Sequence, residues 1–200
     1  INDGALNWTA PAGAWKVINF TWQNVQGDPD DQKHVTLDGA SKASVDWFIQ
    51  KVYQPHYEHF KGDFGKSITG FYYVEPEVRG DWGSEVAPLL AERKVDLKAA
   101  LVAYKFGLSG DQQMAAKYAY IDAFHEAWAR TLYGGMTRWC AEKGLESMGF
   151  FTDQGGAYLK RGGKNPGNVF QMQKYSSMGG IDISPIVVLL LLYFLNNAIV

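Results

Sequence analysis

The chain has 200 residues, of which 46% are hydrophobic and 20% charged, a balance typical of a globular protein rather than a disordered or collagen-like one. The formal net charge of −2 argues against a binder of nucleic acid or of an acidic membrane, since such surfaces need a basic excess. The single cysteine, Cys140, excludes an internal disulfide framework and a zinc site built on thiolates.

The first predicted elements are a strand and a helix separated by a polar segment. Trp15–Trp22 is rich in β-branched and aromatic residues, which is typical of a strand. Ser41 is a predicted N-cap. We expect Pro55 to bend the helix that follows, which should end before Gly62. Apolar side chains recur in this segment at helical spacing, namely Val45, Phe48, Ile49, Val52 and Tyr53.

The middle of the chain predicts a buried strand followed by helices. Ile68–Val74 is almost continuously apolar, which predicts burial on both faces, as in a parallel sheet. Residues 84–108 predict one or two short helices. A long helix is predicted over about residues 112–143, with Asp111 as its cap and Gly144 placed to end it.

The last predicted elements complete an alternation of strands and helices. Leu145–Thr152 is a third predicted strand, Asn168–Met178 a short helix, and residues 179–183 the start of a fourth strand. This alternation predicts an α/β fold with a parallel sheet, either doubly wound or a barrel. Four strands are about half of a (β/α)8 barrel. No glycine-rich nucleotide-binding motif follows a strand, which weakens the nucleotide-binding versions of such folds.

The end of the sequence has a different composition from the rest. Ile186–Leu195 is an unbroken apolar run, too short to cross a bilayer, which takes about 20 residues. The abrupt change after Ser184 favours an aberrant end of the sequence over a buried helix. We therefore separate a domain over residues 1–184 from an apolar tail over residues 185–200.

Acidic residues stand where the predicted strands end. Glu75 and Glu77 close the second strand, Asp153 closes the third, and Asp182 lies in the fourth. The carboxyl ends of parallel strands form the active-site face of α/β folds. Carboxylates that converge there could supply the acid and the base or nucleophile of glycoside cleavage. The alternative is that these acids cap helices or pair with arginines.

Two aromatic residues and a proline add to this prediction. Pro76 ends the strand sharply and holds Glu75 extended. Burial near aromatic rings would raise the pKa of Glu75, as a general acid at neutral pH requires. Aromatic rings also form platforms for sugars, so we predict that Tyr73 and Trp82 bind the substrate. We predict Asp182, in the fourth strand, as a further substrate-binding residue. The sequence itself requires no cofactor.

Several segments together resemble a known family. Trp8–Phe20, Leu37–Ser41, the following helix and Ile68–Glu77 are similar to segments of large bacterial glycoside hydrolases with a TIM-barrel catalytic domain, in particular the alpha-L-rhamnosidase-like family 106. The long helix leading to Gly144 and the strand after it fit the same pattern. The resemblance covers roughly residues 5–183 and implies that the chain is a fragment of such a barrel.

The resemblance implies a function and a site. Glu75 would be a catalytic carboxylate, and its partner would be Glu77, Asp153 or a residue beyond position 200. Members of the family are inverting, calcium-dependent and exported, which implies a secreted or periplasmic protein that acts on polysaccharide or oligosaccharide. Val74 stands where such enzymes often carry an aspartate, which favours a second hypothesis, a non-catalytic carbohydrate-binding relative. A third is a structural module in which the acids only cap helices.

Overall fold

The computed structural model describes residues 6–21, 37–74, 76, 81–107, 110–150 and 169–180. None of the helices in these ranges combines the length and the apolar character that crossing a membrane requires. In chain order the elements are α1 (Lys42–Phe48), a π-helical turn (Ile49–Tyr53), α2 (Gln54–His59), β1 (Gly70–Val74), α3 (Val86–Glu92), α4 (Leu97–Phe106), α5 (Asp111–Trp128), a second π-helical turn (Ala129–Tyr133), α6 (Gly134–Ala141), β2 (Glu146–Phe150), α7 (Val169–Gln173) and β3 (Met178–Gly180).

The strands form one parallel sheet in the order β1-β2-β3. Tyr73 is in register with Gly149, and Met148 is in register with Met178. The side chain of Ser177 extends the pairing at its edge, because its Oγ accepts from the Ser147 N–H at 2.8 Å and donates to the Ser147 carbonyl at 2.6 Å. The α/β fold with parallel strands is therefore confirmed, together with the second and third predicted strands and the start of the fourth.

The helix after the predicted cap follows its apolar pattern. Ser41 occupies the N-cap position of α1, but its side chain makes no capping hydrogen bond. The preceding turn is held instead by Asp38, whose Oδ1 accepts from the Ala40 N–H at 3.0 Å. Pro55 lies in the first turn of α2, where its missing N–H is tolerated, and the π-helical turn comes directly before it. The helix ends at His59, as predicted.

The long predicted helix is also present, from α5 through the second π-helical turn to α6. Gly110 takes the N-cap position and Asp111 is the first helical residue, so the prediction of Asp111 as the cap was wrong by one position. At the other end Gly144 is left-handed, with a φ of +68°. The Leu145 N–H then donates to the Cys140 carbonyl at 2.9 Å, which closes the helix as glycine-terminated helices usually close.

The core lies between these helices and one face of the sheet. Tyr73 of β1 packs edge-on against Tyr133, with 5.2 Å between the ring centroids. Tyr72 and Val74 point the other way and are 55% and 68% exposed. The prediction that this strand is buried on both faces was therefore wrong for the described structure, because the described helices cover one face only and strand side chains alternate between faces.

The predicted strand near the start of the chain is not present in its described part. Residues 15–21 have no regular secondary structure, and Val17 is 67% exposed. A local turn organises the preceding residues instead. Trp8 and Trp15 meet edge to face at 5.4 Å, and the Trp15 indole N–H donates to the Pro11 carbonyl at 2.8 Å. Strand propensity alone does not form a strand without a partner that supplies backbone hydrogen bonds.

An ion-pair cluster joins α3 to α5 and supports a first prediction. The half-buried guanidinium of Arg93 reaches Asp122 at 2.9 Å and Glu126 at 2.6 Å. We expect Arg93→Ala to lower the free energy of unfolding by about 1–2 kcal/mol, because two carboxylates lose a charged donor. Lys42→Ala removes the exposed Lys42–Asp46 pair within α1 and should cost only about 0.3–0.5 kcal/mol. Urea unfolding of both variants tests this, and equal losses would contradict it.

Candidate functional site

A cavity of about 350 Å³ lies beside β1, against the first helical segment and the helix that contains α6. It is walled mainly by apolar and aromatic side chains. Its lining residues are Leu37, Phe48, Val52, Tyr53, His56, Phe71, Tyr72, Tyr73, Pro76, Leu132 and Met136.

The cavity is located at the carboxyl end of β1. Pro76 lines it, and β1 ends at Val74. Glu75 lies between these two residues in the sequence. Glu75 itself and Glu77 lie outside the described residues, as do Asp153 and Asp182. The predicted convergence of the four acids at one edge of the sheet therefore stays a prediction.

Of the two predicted substrate-binding residues that the structure describes, Tyr73 lines the cavity. It is 6% exposed, and its hydroxyl lies 2.7 Å from the Ser176 Oγ, just before β3. Burial raises the pKa of the Tyr73 phenol above its ordinary value. Its ring forms part of the wall, while its hydroxyl links β1 to the segment that leads into β3.

Trp82 lies elsewhere in the fold. It is half-buried against the core and does not belong to the cavity lining. The loop before it is anchored through Asp81, whose carboxylate pairs with Lys105 and whose carbonyl accepts from the Tyr120 hydroxyl at 2.5 Å. The structure therefore does not bring Trp82 and Tyr73 together at one cavity.

Two residues of the cavity did not stand out in the sequence. Tyr53 is a predicted core position of the first helix, and His56 is one of four histidines without a metal-binding spacing. A separation of three residues places both on one helix face, which is the signal that could have paired them. The Tyr53 hydroxyl donates to the Met136 Sδ at 3.1 Å, a weak acceptor. Burial raises the pKa of the Tyr53 phenol.

The tautomer of His56 follows from its hydrogen bond. Its Nδ1 lies 2.6 Å from the Val52 carbonyl oxygen, which can only accept, so Nδ1 carries a proton. In the neutral ring Nε2 is then the acceptor. Three tyrosines, Tyr53, Tyr72 and Tyr73, and one imidazole, His56, are among the lining residues, and the described lining contains no carboxylate, ammonium or guanidinium group.

Cys140 and the possible metal ligands are the two remaining features that the sequence raised. Cys140 is buried, and burial raises the pKa of its thiol to about 11, so the thiol is neutral at physiological pH. This confirms its interpretation as a small buried hydrophobe. Within the described ranges, no group of three or more His, Cys, Asp or Glu side chains could hold a metal ion. The calcium that the family resemblance implies stays an expectation.

Comparison with protein-family models, with curated proteins and with solved structures finds no match to this chain.

Proposed function

We propose that this chain is part of the catalytic domain of a glycoside hydrolase, with its site at the carboxyl end of β1. One observation supports this proposal most. Pro76, which follows the strand in the sequence Glu75-Pro76-Glu77, lines an aromatic cavity at the strand edge where α/β enzymes place their catalytic groups. Two acids therefore flank, in the sequence, a proline that lines a cavity of ligand size.

We further propose that the three-stranded sheet belongs to a (β/α)8 barrel. Its strands are parallel and follow one another in chain order, as barrel strands do, whereas a doubly wound sheet reverses its order at a switch point. In a barrel, one face of each strand packs on the helices and the other faces the interior. The exposed apolar face of Tyr72, Val74 and Phe150 is consistent with such an interior face.

In the proposed reaction Glu75 protonates the glycosidic oxygen as the bond to the anomeric carbon breaks. A second carboxylate, for which Glu77 and Asp153 are the candidates, either activates a water molecule or attacks the anomeric carbon. The separation of the two carboxyl groups decides between these routes, with about 5–5.5 Å for retention and about 6.5–9.5 Å for inversion. The resemblance to the rhamnosidase-like family favours inversion, a deoxyhexose substrate and an exported protein.

One observation favours the second candidate, a non-catalytic carbohydrate-binding relative. Val74, where such hydrolases often carry an aspartate, is the last residue of β1 and is exposed. An apolar side chain at this position could not act as an acid, base or nucleophile. The protein would then bind a sugar through the same strand end without cleaving it.

The experiment is a comparison of Glu75→Gln with the wild type on a panel of aryl glycosides that includes the alpha-L-rhamnoside. We expect turnover to fall by about 10²–10⁴-fold while sugar binding persists, because glutamine cannot donate a carboxylic proton. Glu58→Gln is the matched control. Glu58 is exposed on α2, accepts from Gln54 at 2.8 Å and lies outside the cavity lining.

The outcomes separate the candidates. Unchanged turnover in Glu75→Gln would place the chemistry on another residue. Sugar binding without turnover in the folded wild type would favour the binding protein. The proposed barrel has eight strands, and the described sheet has three. The assay therefore uses both the 200-residue chain and a longer protein that contains it.

A further inference from the structure

The cavity beside β1 has aromatic walls and, in its described lining, no charged carboxylate, ammonium or guanidinium group, which suits an aromatic ligand. We propose that this cavity binds an aromatic group that carries a hydrogen-bonding substituent, such as a phenol. In the proposed hydrolase this group is the aglycone of an aryl glycoside, and that assignment rests on the proposed function. The existence of the aromatic site does not depend on it.

The walls of the cavity are the first support. Five of the lining side chains are phenylalanines or tyrosines, namely Phe48, Tyr53, Phe71, Tyr72 and Tyr73, and Tyr53 and Phe71 stack with their centroids 4.3 Å apart. Aromatic rings gain from edge-to-face and offset contacts with such walls. A pyranose carries several hydroxyl groups, and each one that is buried without a partner opposes binding. Of the three phenol hydroxyls among the lining residues, that of Tyr53 is already bonded to Met136 and that of Tyr73 to Ser176.

The polar groups of the cavity are the second support. The Tyr53 hydroxyl has the weak acceptor Met136 Sδ as its partner, which leaves its oxygen lone pairs able to accept a hydrogen bond. His56 holds its Nδ1 proton on the Val52 carbonyl, so the neutral imidazole offers Nε2 as an acceptor. A phenol hydroxyl can donate to Nε2, so the imidazole suits a ligand with one polar substituent.

Size and access are the third support. A volume of about 350 Å³ lies within the range of small-molecule sites and has room for a substituted benzene ring. Val52 lines the cavity and is 36% exposed, so a ligand can enter from solvent on the side of the first helical segment. Val52 is not one of the buried residues that form the core cluster.

The test is equilibrium binding of 4-methylphenol, which has no glycosidic bond and keeps its hydroxyl proton at neutral pH, to the 200-residue chain by calorimetry. We expect one site with a Kd at or below about 1 mM. Val52→Trp fills the cavity and should weaken binding by about tenfold or more. His56→Ala removes the acceptor and should also weaken it by about tenfold. His59→Ala, an exposed histidine one turn further along the same helix and outside the lining, should bind within about twofold of the wild type.

Each outcome of these binding experiments either supports or overturns the proposed aromatic site. No saturable binding, or equal binding by the wild type, Val52→Trp and His56→Ala, overturns the proposal. Competition by methyl alpha-L-rhamnoside, which has no aromatic ring, would make the cavity a sugar subsite and also overturns it. If circular dichroism shows that Val52→Trp does not fold, the comparison of His56→Ala with His59→Ala tests the proposal without it. Probe binding with the expected pattern, in a protein that cleaves no glycoside, would retain the aromatic site and overturn the proposed hydrolase.

Discussion

A Trp128→Ala variant is expected to lose about 3–5 kcal/mol of unfolding free energy, the usual cost of removing a large aromatic side chain from a packed core. Trp128 ends α5 and is 2% exposed. Its ring also fills the space beside Gly39, where an added Cβ would lie 2.4 Å from the ring. Since small domains have only about 5–15 kcal/mol of stability, this loss should be visible as a large shift of the urea midpoint.

The control for this variant is Trp47→Ala. Trp47 lies in α1 and is 59% exposed, so its removal creates no cavity and should change stability by no more than about 0.5 kcal/mol. Tryptophan fluorescence would confound the comparison, so unfolding is followed by far-ultraviolet circular dichroism. Similar midpoints for the two variants would mean that Trp128 is not the centre of the core.

Gly149→Ala is expected to destabilise the protein by on the order of 3 kcal/mol through overpacking between two strands. A Cβ on Gly149 would lie 2.0 Å from the Tyr73 carbonyl oxygen and 2.6 Å from its ring. The first neighbour is backbone and cannot rotate away, so β1 and β2 must move apart. Because Tyr73 lines the cavity, the same variant should also weaken binding of the aromatic probe.

Gly62→Ala is the matched control for Gly149→Ala. A Cβ at Gly62 meets no atom within 4 Å, and its backbone is not left-handed. The substitution should therefore be neutral, or should stabilise slightly by reducing the freedom of the unfolded chain. Thermal unfolding of the two variants side by side measures the difference. A Gly149→Ala protein as stable as Gly62→Ala would show that the two strands do not approach as closely as described.

Local patterns in the sequence determined most of the secondary structure. The apolar spacing of Val45, Ile49 and Tyr53 predicted the first helix, and all three residues are buried in it. The boundaries were less well predicted, because they depend on hydrogen bonds from neighbouring residues. Gly110, rather than Asp111, takes the cap of the long helix, and Asp38, rather than Ser41, holds the turn before the first helix.

Burial and strand pairing could not be predicted to the same extent. The run Ile68–Val74 is apolar throughout, yet β1 exposes Tyr72 and Val74 because no described element covers that face. Trp15 and its neighbours have strand propensity, but in the described structure they form no ladder. Propensity is a property of a segment, whereas a strand needs a second segment at the correct distance and in register.

Some features of the candidate site likewise follow from the sequence alone, and others only from the tertiary structure. The sequence by itself determined that acids follow the strands, that Pro76 ends β1, and that the fold alternates helices with parallel strands, because these features depend on neighbours along the chain. Only the tertiary structure decided that Tyr73 and Pro76 share a cavity, that Trp82 does not line it, and that Tyr53 and His56 do. These relations join residues from separate elements, and the packing of helices against one face of the sheet brings them together.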